Sequence, residues 1–299
     1  MITFDIQGTD VSVEDLLNLQ MLAVDIKKIR PIPSRSRRLG EQRAKARGQG
    51  REFIEMKHYQ QGDDVRQIDW RQTAKKQSPF VRVMEEDRHS EHVIWLHLNS
   101  RMYFGTSRCF KSVLACHWAA FLIWRFQQIK HPVRLLIQTP EAFHEIRVVR
   151  SNDAARACRL ISQAHSELAG QFQRGDTTPE PPHWKGHPHL WVISDFMDDQ
   201  VARVQRAISM HPVTQLICLQ TLDQFDLQLP NAGTLPVKAG EQTGWLQTDQ
   251  QKARDDYQQI IKDHALSLNR LCLSFRGLNY QYTSQKFHWQ EVHAWPLYH

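Results

Sequence analysis

The amino-acid sequence predicts an α/β fold in which a mostly parallel sheet is covered by helices on both faces. Two compact apolar runs, Val93–Leu98 and Leu190–Ile193, are typical of strands that are buried on both sides. Longer segments whose apolar residues recur at helical spacing lie between such runs. Because strands that alternate with helices form parallel sheets, the order of the elements predicts this fold class. The apolar fraction of 41% argues against disorder.

The first half of the chain begins with a predicted helix that Ser12 caps. Its apolar residues run from Leu16 to Ile29, and Pro31 and Pro33 end it because proline cannot continue a helix. A basic arm follows, which its glycines make pliable. The later predicted elements of this half are the strand Val93–Leu98, a helix that Ser107 opens, the strand Val133–Gln138, a shorter strand Phe143–Val149 and a helix that Ser151 caps.

The second half begins with a surface loop over residues 170–188, which is rich in Pro, Gly and His. Thr248 and Gln251 form a capping box for a long helix near the end. The remaining predicted elements are the strand Leu190–Ile193, a helix through Val201–Ile208, the strand Thr214–Leu219, extended pieces and turns over residues 225–247, the long helix through Tyr257–Leu271 and a strand at Leu278–Tyr282.

Composition divides the chain into two parts. Residues 1–90 hold the first helix, the basic arm and an unusual acidic motif, and residues 91–299 form the α/β domain. The arm, Lys27–Arg47, carries nine basic residues against the single acid Glu41, within a chain of net charge +6. Such a block can bind nucleic acid, an anionic membrane face or an acidic protein surface, or it can fold back on the protein's own carboxylates.

Several common features are missing from the sequence. No apolar run approaches the roughly 18 residues of a membrane helix, and the N-terminus lacks the pattern of a signal peptide. The five cysteines are scattered without C-x-x-C spacing, so we expect free thiols and no zinc site. We therefore expect a cytoplasmic protein, or a peripheral one at the inner face of the membrane where a membrane partner holds it.

The motif from Glu52 to Trp70 combines a turn at Gly62 with acids placed around Arg66. Those acids are Asp63, Asp64 and Asp69. The spacing predicts a turn that Arg–carboxylate pairs hold together beside a buried Trp70. The motif is then either a binding surface or a structural brace that joins the arm to the α/β domain.

The same residues closely resemble the signature of the DUF58 family. The matching positions include Glu52, Phe53, Glu55, Tyr59, Gly62, Asp63, Asp64, Arg66, Asp69 and Trp70. The resemblance continues through the segments 104–106, 110–112, 194–196 and 229–236. It implies a von Willebrand A-like domain that works beside a MoxR-type AAA+ ATPase and a membrane protein carrying a von Willebrand A domain. Members are thought to assemble, remodel or insert metal into other complexes.

A von Willebrand A fold usually carries a metal-ion-dependent adhesion site, D-x-S-x-S, after its first core strand. The corresponding residues here are His97, Asn99 and Arg101, with Ser100 as a register-shifted hydroxyl, and only Asp195 keeps the expected carboxylate. Neutral imidazole is a poor ligand for Mg²⁺, and arginine brings a permanent positive charge. We therefore expect a degenerate site without divalent metal or other cofactor.

Arg101 suggests a specific role for this degenerate site. It could replace the metal by pairing with Asp195 and offering its guanidinium to an acidic side chain of a partner. The alternatives are a purely structural salt bridge and a solvated arginine.

These features favour a non-catalytic protein-binding and assembly adaptor with no small-molecule substrate. The sequence contains no nucleophile elbow, zinc-protease motif, Walker A motif or dinucleotide fingerprint. Two alternatives remain. The basic arm could bind nucleic acid or another anionic surface, and the acids of the Glu52–Trp70 motif could serve a metal-dependent hydrolase.

Overall fold

The structure is a computed structural model that describes residues 6–25, 51–59, 68–76, 78–86, 91–171, 180–197, 199–239 and 242–284. Its elements, in chain order, are α1 (Val13–Asp25), β1 (Arg51–His58), α2 (Trp70–Lys76), β2 (Phe80–Glu86), β3 (His92–His97), α3 (Lys111–Gln128), β4 (Val133–Gln138), β5 (Phe143–Val148), α4 (Ser151–Gln171), β6 (His189–Ser194), α5 (Gln200–Met210), β7 (Gln215–Leu222), α6 (Gln224–Leu227), β8 (Thr234–Ala239), β9 (Gln242–Gln247), α7 (Gln251–Ser274) and β10 (Asn279–Thr283). They fall into two compact units, residues 33–89 and the remainder of the chain.

The larger unit is built on a six-stranded sheet in the order β10-β7-β6-β3-β4-β5. Every pairing is parallel except that of β4 with the edge strand β5. The predicted mixed α/β fold with a mostly parallel sheet is confirmed.

Two apolar cores lie on the two faces of this sheet. Successive residues of a strand point to opposite faces, so Ile94 and Leu96 pack with α1, α3 and α4, whereas Val93 and Trp95 pack with α5 and α7. All six residues of β3 are buried. Burial on both faces explains why the sequence of this strand is a continuous apolar run rather than an alternating one.

Helix α3 is the central element of the first core, since nearly all of its side chains are buried. The prediction that Ser107 opens this helix is wrong, because the helix begins at Lys111. The backbone around Cys109 instead pairs with Gly8: the Gly8 amide donates to the Arg108 carbonyl, and the Phe110 amide donates to the Gly8 carbonyl. These bonds hold the backbone on both sides of Cys109 out of the helical conformation, so the helix begins only at Lys111.

Helix α1 packs against α3 and α4. The side chains of Trp124 and Ser162 donate hydrogen bonds to backbone carbonyls at Leu16 and Val11, at 2.9 and 2.7 Å. The predicted Ser12 cap is confirmed, since its hydroxyl oxygen accepts from the Asp15 amide. The sequence assigned this helix to a part ending at residue 90, whereas its packing places it in the larger unit.

The region after β7 also differs in detail from the prediction. The strands β8 and β9 pair antiparallel, with Thr234 opposite Gln247 and Ala239 opposite Gln242. The capping box predicted at Thr248 is wrong, because Gln250 occupies the cap position of α7. The Thr248 hydroxyl donates to the Gly233 carbonyl instead and closes the base of the hairpin.

The smaller unit contains an antiparallel pair, β1 and β2, and the short helix α2. The buried Asp69 caps α2: its carboxylate accepts from the amides of Arg71 and Gln72 at 3.0 and 3.1 Å. The Asp69 amide donates to the carbonyl of Phe80, and the Tyr59 amide donates to that of Pro79. This acid therefore has a structural role in joining the helix to the strand pair.

The sequence also predicts free thiols and no membrane-spanning helix. All five cysteines are buried free thiols, as expected. None of the helices in the described ranges is long and apolar enough to cross a bilayer.

The pH dependence of stability follows from buried histidines, of which His165 is an example. Its Nε2 lies 3.0 Å from the Ser112 hydroxyl in the core. Burial lowers the pKa of His165 to about 4, an effect that Asp10 opposes and His117 reinforces. The unfolded chain, with a pKa of about 6.5, binds the proton more readily. This histidine therefore contributes stability above pH 6.5 that is lost as the pH falls towards 4.

We expect His165→Gln to retain the bond to Ser112 and to reduce the acid sensitivity of the fold. Urea unfolding at pH 7, 6, 5 and 4 should show wild-type protein losing up to about 3 kcal/mol through this residue and the variant losing less. His187→Gln, a change at an exposed histidine, is the control. If the free energy of unfolding falls equally with pH in the wild type and in the His165 variant, His165 is not a source of the acid sensitivity.

Candidate functional site

The candidate site lies at the carboxyl ends of β3 and β6, which are parallel neighbours. From β3 the chain passes to β4 on one side, and it later crosses to β6 on the other side. Helix α3, after β3, covers one face and α5, after β6, covers the other. Loops that diverge in this way open a crevice, which is where α/β sheets bind ligands. The candidate site therefore lies where sheets of this class commonly bind ligands.

Asn99 organises the loop after β3. Its side-chain oxygen accepts from the Met102 amide at 3.2 Å and caps a short 3₁₀ helix, Ser100–Met102, while its Nδ2 donates to Asp195 Oδ1 at 3.0 Å. Ser100 begins that helix and is half-buried. Arg101, with its side chain 37% exposed, reaches back until its Nε lies 3.9 Å from Asp195 Oδ2. The structure thus brings together the residues that the sequence placed in one site.

Asp195 is completely buried at the end of β6. The next residue, Phe196, has a φ of 56°, a left-handed conformation that a bulky side chain seldom adopts. This turn lets the Met197 amide donate to Asp195 Oδ1 at 3.4 Å. Gln220, on the neighbouring strand β7, donates to the Asp195 carbonyl at 3.0 Å. The strained turn and these bonds fix the direction of the carboxylate.

Lys111, the first residue of α3, provides a second cation. Its side chain is only 3% exposed, and its Nζ lies 2.9 Å from Asp226 Oδ2 and 3.6 Å from Asp195 Oδ2. A buried ammonium requires such partners because the loss of hydration is costly. The amine therefore lies between two carboxylates that come from different loops.

The ionisation of Asp195 follows from these contacts. Burial acts to raise its pKa, but the charges of Lys111 and Arg101 and the hydrogen bond from Asn99 act to lower it, and the net pKa is below the usual value. Asp195 is accordingly an ionised carboxylate inside the protein at neutral pH.

His97, at the end of β3, is neutral. Burial lowers its pKa to about 4, with Asp195 opposing and Arg203 and Arg101 reinforcing the shift. Its Nδ1 lies 3.0 Å from the Ser194 hydroxyl, and Gln200 Nε2 lies 3.4 Å from its Nε2. The side-chain nitrogen of Gln200 can donate but cannot accept a hydrogen bond. His97 Nε2 is therefore the acceptor, and Nδ1 carries the proton. Both ring nitrogens are therefore engaged within the protein.

A second carboxylate, Asp223, ties the loop after β3 to the end of β7. It accepts from the Thr106 amide at 2.8 Å, the Thr106 hydroxyl at 2.6 Å and the Phe225 amide at 3.0 Å. The loop can take this path because residue 105 is glycine. A Cβ there would lie 2.4 Å from the Cys109 carbonyl oxygen.

Helix α6 places Asp226 against Lys111. The Asp226 carboxylate also accepts from the Asp223 amide at 2.8 Å, which completes a capping box for this helix. Tyr257 of α7 donates to the Asp226 carbonyl at 3.1 Å. Asp226 is thus held at both its side chain and its backbone, so the carboxylate next to Lys111 is fixed in place.

A divalent metal ion does not fit these residues. Mg²⁺ prefers oxygen ligands at about 2.1 Å, but Asp195 Oδ2 already faces the ammonium of Lys111 and the guanidinium of Arg101. The Asn99 oxygen is used by the backbone, and His97 has no nitrogen to spare. Within the described ranges, moreover, no group of three or more His, Cys, Asp or Glu side chains is arranged to hold a metal.

The Glu52–Trp70 motif is described only in part. Gly62, Asp63, Asp64 and Arg66 lie outside the described residues, as does the basic arm at 27–47. Glu52, Phe53 and Glu55 belong to β1. The prediction of a buried Trp70 is wrong: it begins α2 and is 70% exposed. The Asp69 carboxylate points inward to the amides of the first helical turn. The side chain of Trp70, the next residue, points outward and is therefore exposed.

Three residues of the site were not identified from the sequence: Lys111, Asp223 and Asp226. Asp223 could have been found, since it directly follows a buried strand, as Asp195 does. Lys111 lies within one of the segments that carried the family resemblance, as does Thr106. No sequence pattern brings Asp226 next to Lys111, because that proximity depends on how α6 folds.

Comparisons with known proteins agree with the resemblance. The family model described as "Protein of unknown function DUF58" matches residues 55–267. Uncharacterized proteins of Mycobacterium bovis and Mycobacterium tuberculosis are 29% identical to this chain over 200 residues. The alignment spans 65% of this chain and 62% of the length of each relative. No solved structure matches the chain.

The network at Asp223 predicts a large effect of substitution. Asp223→Ala should lower the free energy of unfolding by roughly 3 kcal/mol, because it removes the buried carboxylate that accepts hydrogen bonds from the Thr106 amide and hydroxyl and from the Phe225 amide. Urea unfolding provides the measurement. Asp249→Ala, at an exposed aspartate, should change stability by less than about 0.5 kcal/mol. Equal midpoints for the two variants would show that Asp223 does not hold the loop.

Proposed function

The chain belongs to the DUF58 family, and from that premise we propose that it is a non-catalytic protein-binding and assembly adaptor with a von Willebrand A-like domain. The observation that carries the proposal is the pair of cations, Arg101 and Lys111, at the strand-end position where that fold usually holds a metal ion. Such a site can attract a partner's carboxylate without a metal.

Arg101 is the proposed contact residue. Its side chain is partly exposed, and its Nε lies 3.9 Å from the buried Asp195 carboxylate. A guanidinium can form two parallel hydrogen bonds with a carboxylate, which gives orientation as well as affinity. The proposed ligand is therefore an aspartate or glutamate side chain of a partner protein.

Exposed aromatic side chains on the same pair of loops support a protein as the ligand. Phe104 lies two residues before Thr106, and Phe225 lies two residues after Asp223, and both phenylalanines are exposed. Because Thr106 bonds directly to Asp223, the two loops are adjacent. Arginine and aromatic residues dominate binding energy at protein interfaces. We therefore propose an acidic side chain with apolar neighbours as the partner's contact.

The family resemblance supports the choice of partners. We propose a MoxR-type AAA+ ATPase and a membrane protein with a von Willebrand A domain, met in the cytoplasm or at the inner membrane face. The exposed Trp70 provides a second proposed contact surface in the smaller unit.

The role of Arg101 can be tested by affinity capture of the MoxR-type ATPase from the native host, quantified by mass spectrometry. Arg101→Ala should weaken capture roughly tenfold or more, since it removes the charged contact. Arg101→Lys should be intermediate because the bidentate geometry is lost. A chelator should have no effect on capture by the wild type.

Arg270→Ala is the matched control. This exposed arginine lies near the end of α7, which leads into the amino end of β10, so it is remote from the strand-end site. Full capture by Arg101→Ala, or loss of wild-type capture in the presence of chelator, would refute the proposed metal-independent contact.

Trp70 allows a separate test of the second surface. Trp70→Ala should reduce ATPase capture roughly tenfold while leaving the melting temperature unchanged, because an exposed aromatic residue contributes to binding rather than to the core. Trp245→Ala removes a comparably exposed tryptophan, at 72%, from the hairpin of the larger unit. Equal capture by the two variants would exclude Trp70 as a specific contact.

A further inference from the structure

Lys111 has surroundings that resemble those of a bound cation more than those of a surface lysine. The carboxylates of Asp195 and Asp226 lie 3.6 and 2.9 Å from its Nζ, and the side chain is almost entirely buried. Within the described residues, Asp195 Oδ2 is a completely buried oxygen that accepts no hydrogen bond. Its nearest positive charges are Lys111 and Arg101. A buried carboxylate oxygen that accepts no hydrogen bond depends on neighbouring positive charge to offset its desolvation.

We infer that the Lys111 ammonium is a covalently attached substitute for a divalent cation at the strand ends. The chain itself supplies the charge that holds the loops after β3, β6 and β7 in one arrangement. The ligand class of the underlying site is a small cation, and Lys111 is its permanent occupant.

The position of Lys111 in the chain supports this assignment. As the first residue of α3 it lies where a helix dipole disfavours positive charge, so helix formation gives no reason for a lysine there. Its backbone amide donates to the Phe104 carbonyl at 2.9 Å, which fixes the start of the side chain. The side chain then extends into the protein to meet carboxylates from two other loops. This path costs desolvation, which only those carboxylates offset.

The hydrogen bonds to Asp195 and Asp226 also fit a site that the Lys111 ammonium occupies permanently. Asn99 turns its Nδ2, and not its oxygen, towards Asp195 Oδ1. Asp226 is oriented by the Asp223 amide and by Tyr257. The carboxylate oxygens nearest the amine are therefore positioned without any help from a metal.

Lys111→Ala should convert this arrangement into an empty cation site. The variant should melt roughly 5–15 °C below the wild type, because two buried carboxylates lose their counter-ion. Millimolar Mn²⁺ or n-propylammonium, which reproduces the missing part of the side chain, should restore several degrees relative to sodium chloride at equal ionic strength. Neither cation should shift the wild type.

Direct binding distinguishes a site from a general salt effect. Loss of the free Mn²⁺ signal in electron paramagnetic resonance should show about one bound ion per Lys111→Ala chain and none in the wild type. Lys111→Ala/Asp195→Asn should bind none. Restoration by either cation supports the inference. It is overturned if neither cation stabilises or binds Lys111→Ala, or if the wild type binds one Mn²⁺ that Asp195→Asn abolishes.

A second comparison applies if Lys111→Ala does not fold. Lys111→Met keeps the length of the side chain but removes the charge, which leaves Asp195 and Asp226 facing each other. Adding Asp195→Asn removes one of these charges, so the double variant should melt several degrees above Lys111→Met. A double variant that is no more stable than the single one would overturn the inference. These measurements detect cations and stability, so their failure is distinct from a failure of partner capture at Arg101.

Discussion

The ion pairs of Lys111 with Asp195 and Asp226 are the contacts on which the strand-end region depends. Removing one partner of a buried pair typically costs about 3–5 kcal/mol, because the remaining charge stays in a poorly solvated place. Lys111 begins α3, a helix whose side chains are nearly all buried, and Asp195 directly follows β6 at the centre of the sheet. The charge therefore links the packing of the helix to the geometry of the loops. Separating Lys111 from its two carboxylates would cost several kcal/mol, so we expect these loops to keep a single conformation.

Other features of the site follow from this constraint. Phe196 adopts a left-handed backbone so that the chain can leave Asp195 with its carboxylate still facing Lys111. Strain of this kind persists only where the surroundings hold the residue in place. Phe196 is fully buried, and the Asn99 and Met197 donors hold the carboxylate of the preceding Asp195. Asp223 brings α6 close enough for Asp226 to reach the amine. The strained backbone at Phe196 and the ion pairs of Lys111 therefore depend on each other.

The sequence predicted those parts of the structure that depend on local pattern. Apolar runs located β3 and β6. The family resemblance then implied that Asn99, Arg101 and Asp195 share one site. The wrong predictions concern the start of a helix and the burial of single side chains, which depend on contacts with residues distant in sequence. Ser107 is a good cap by type, yet the pairing of Gly8 with Cys109 keeps that segment out of the helix. Trp70 was expected to be buried because tryptophan is large and apolar, whereas the inward-facing Asp69 leaves it exposed. Lys111 was missed because a lysine at a helix start is ordinarily solvated, and its burial depends on Asp226.

The two cations of the site differ in what they can do. Lys111 is enclosed, and its charge is balanced within the chain, so it cannot exchange partners without exposing two carboxylates. Arg101 contacts Asp195 at a longer distance, and part of its side chain is exposed to solvent. A metal ion in this position would combine both tasks, holding the loops with some of its ligand positions and meeting a partner with another. Here the tasks are divided between two side chains, and this division has a chemical consequence. An exchangeable ion lets the surroundings control the site through ion concentration, whereas a tethered ammonium removes that control. Any regulation of the proposed partner contact must then act on Arg101 or on the partner's own carboxylate.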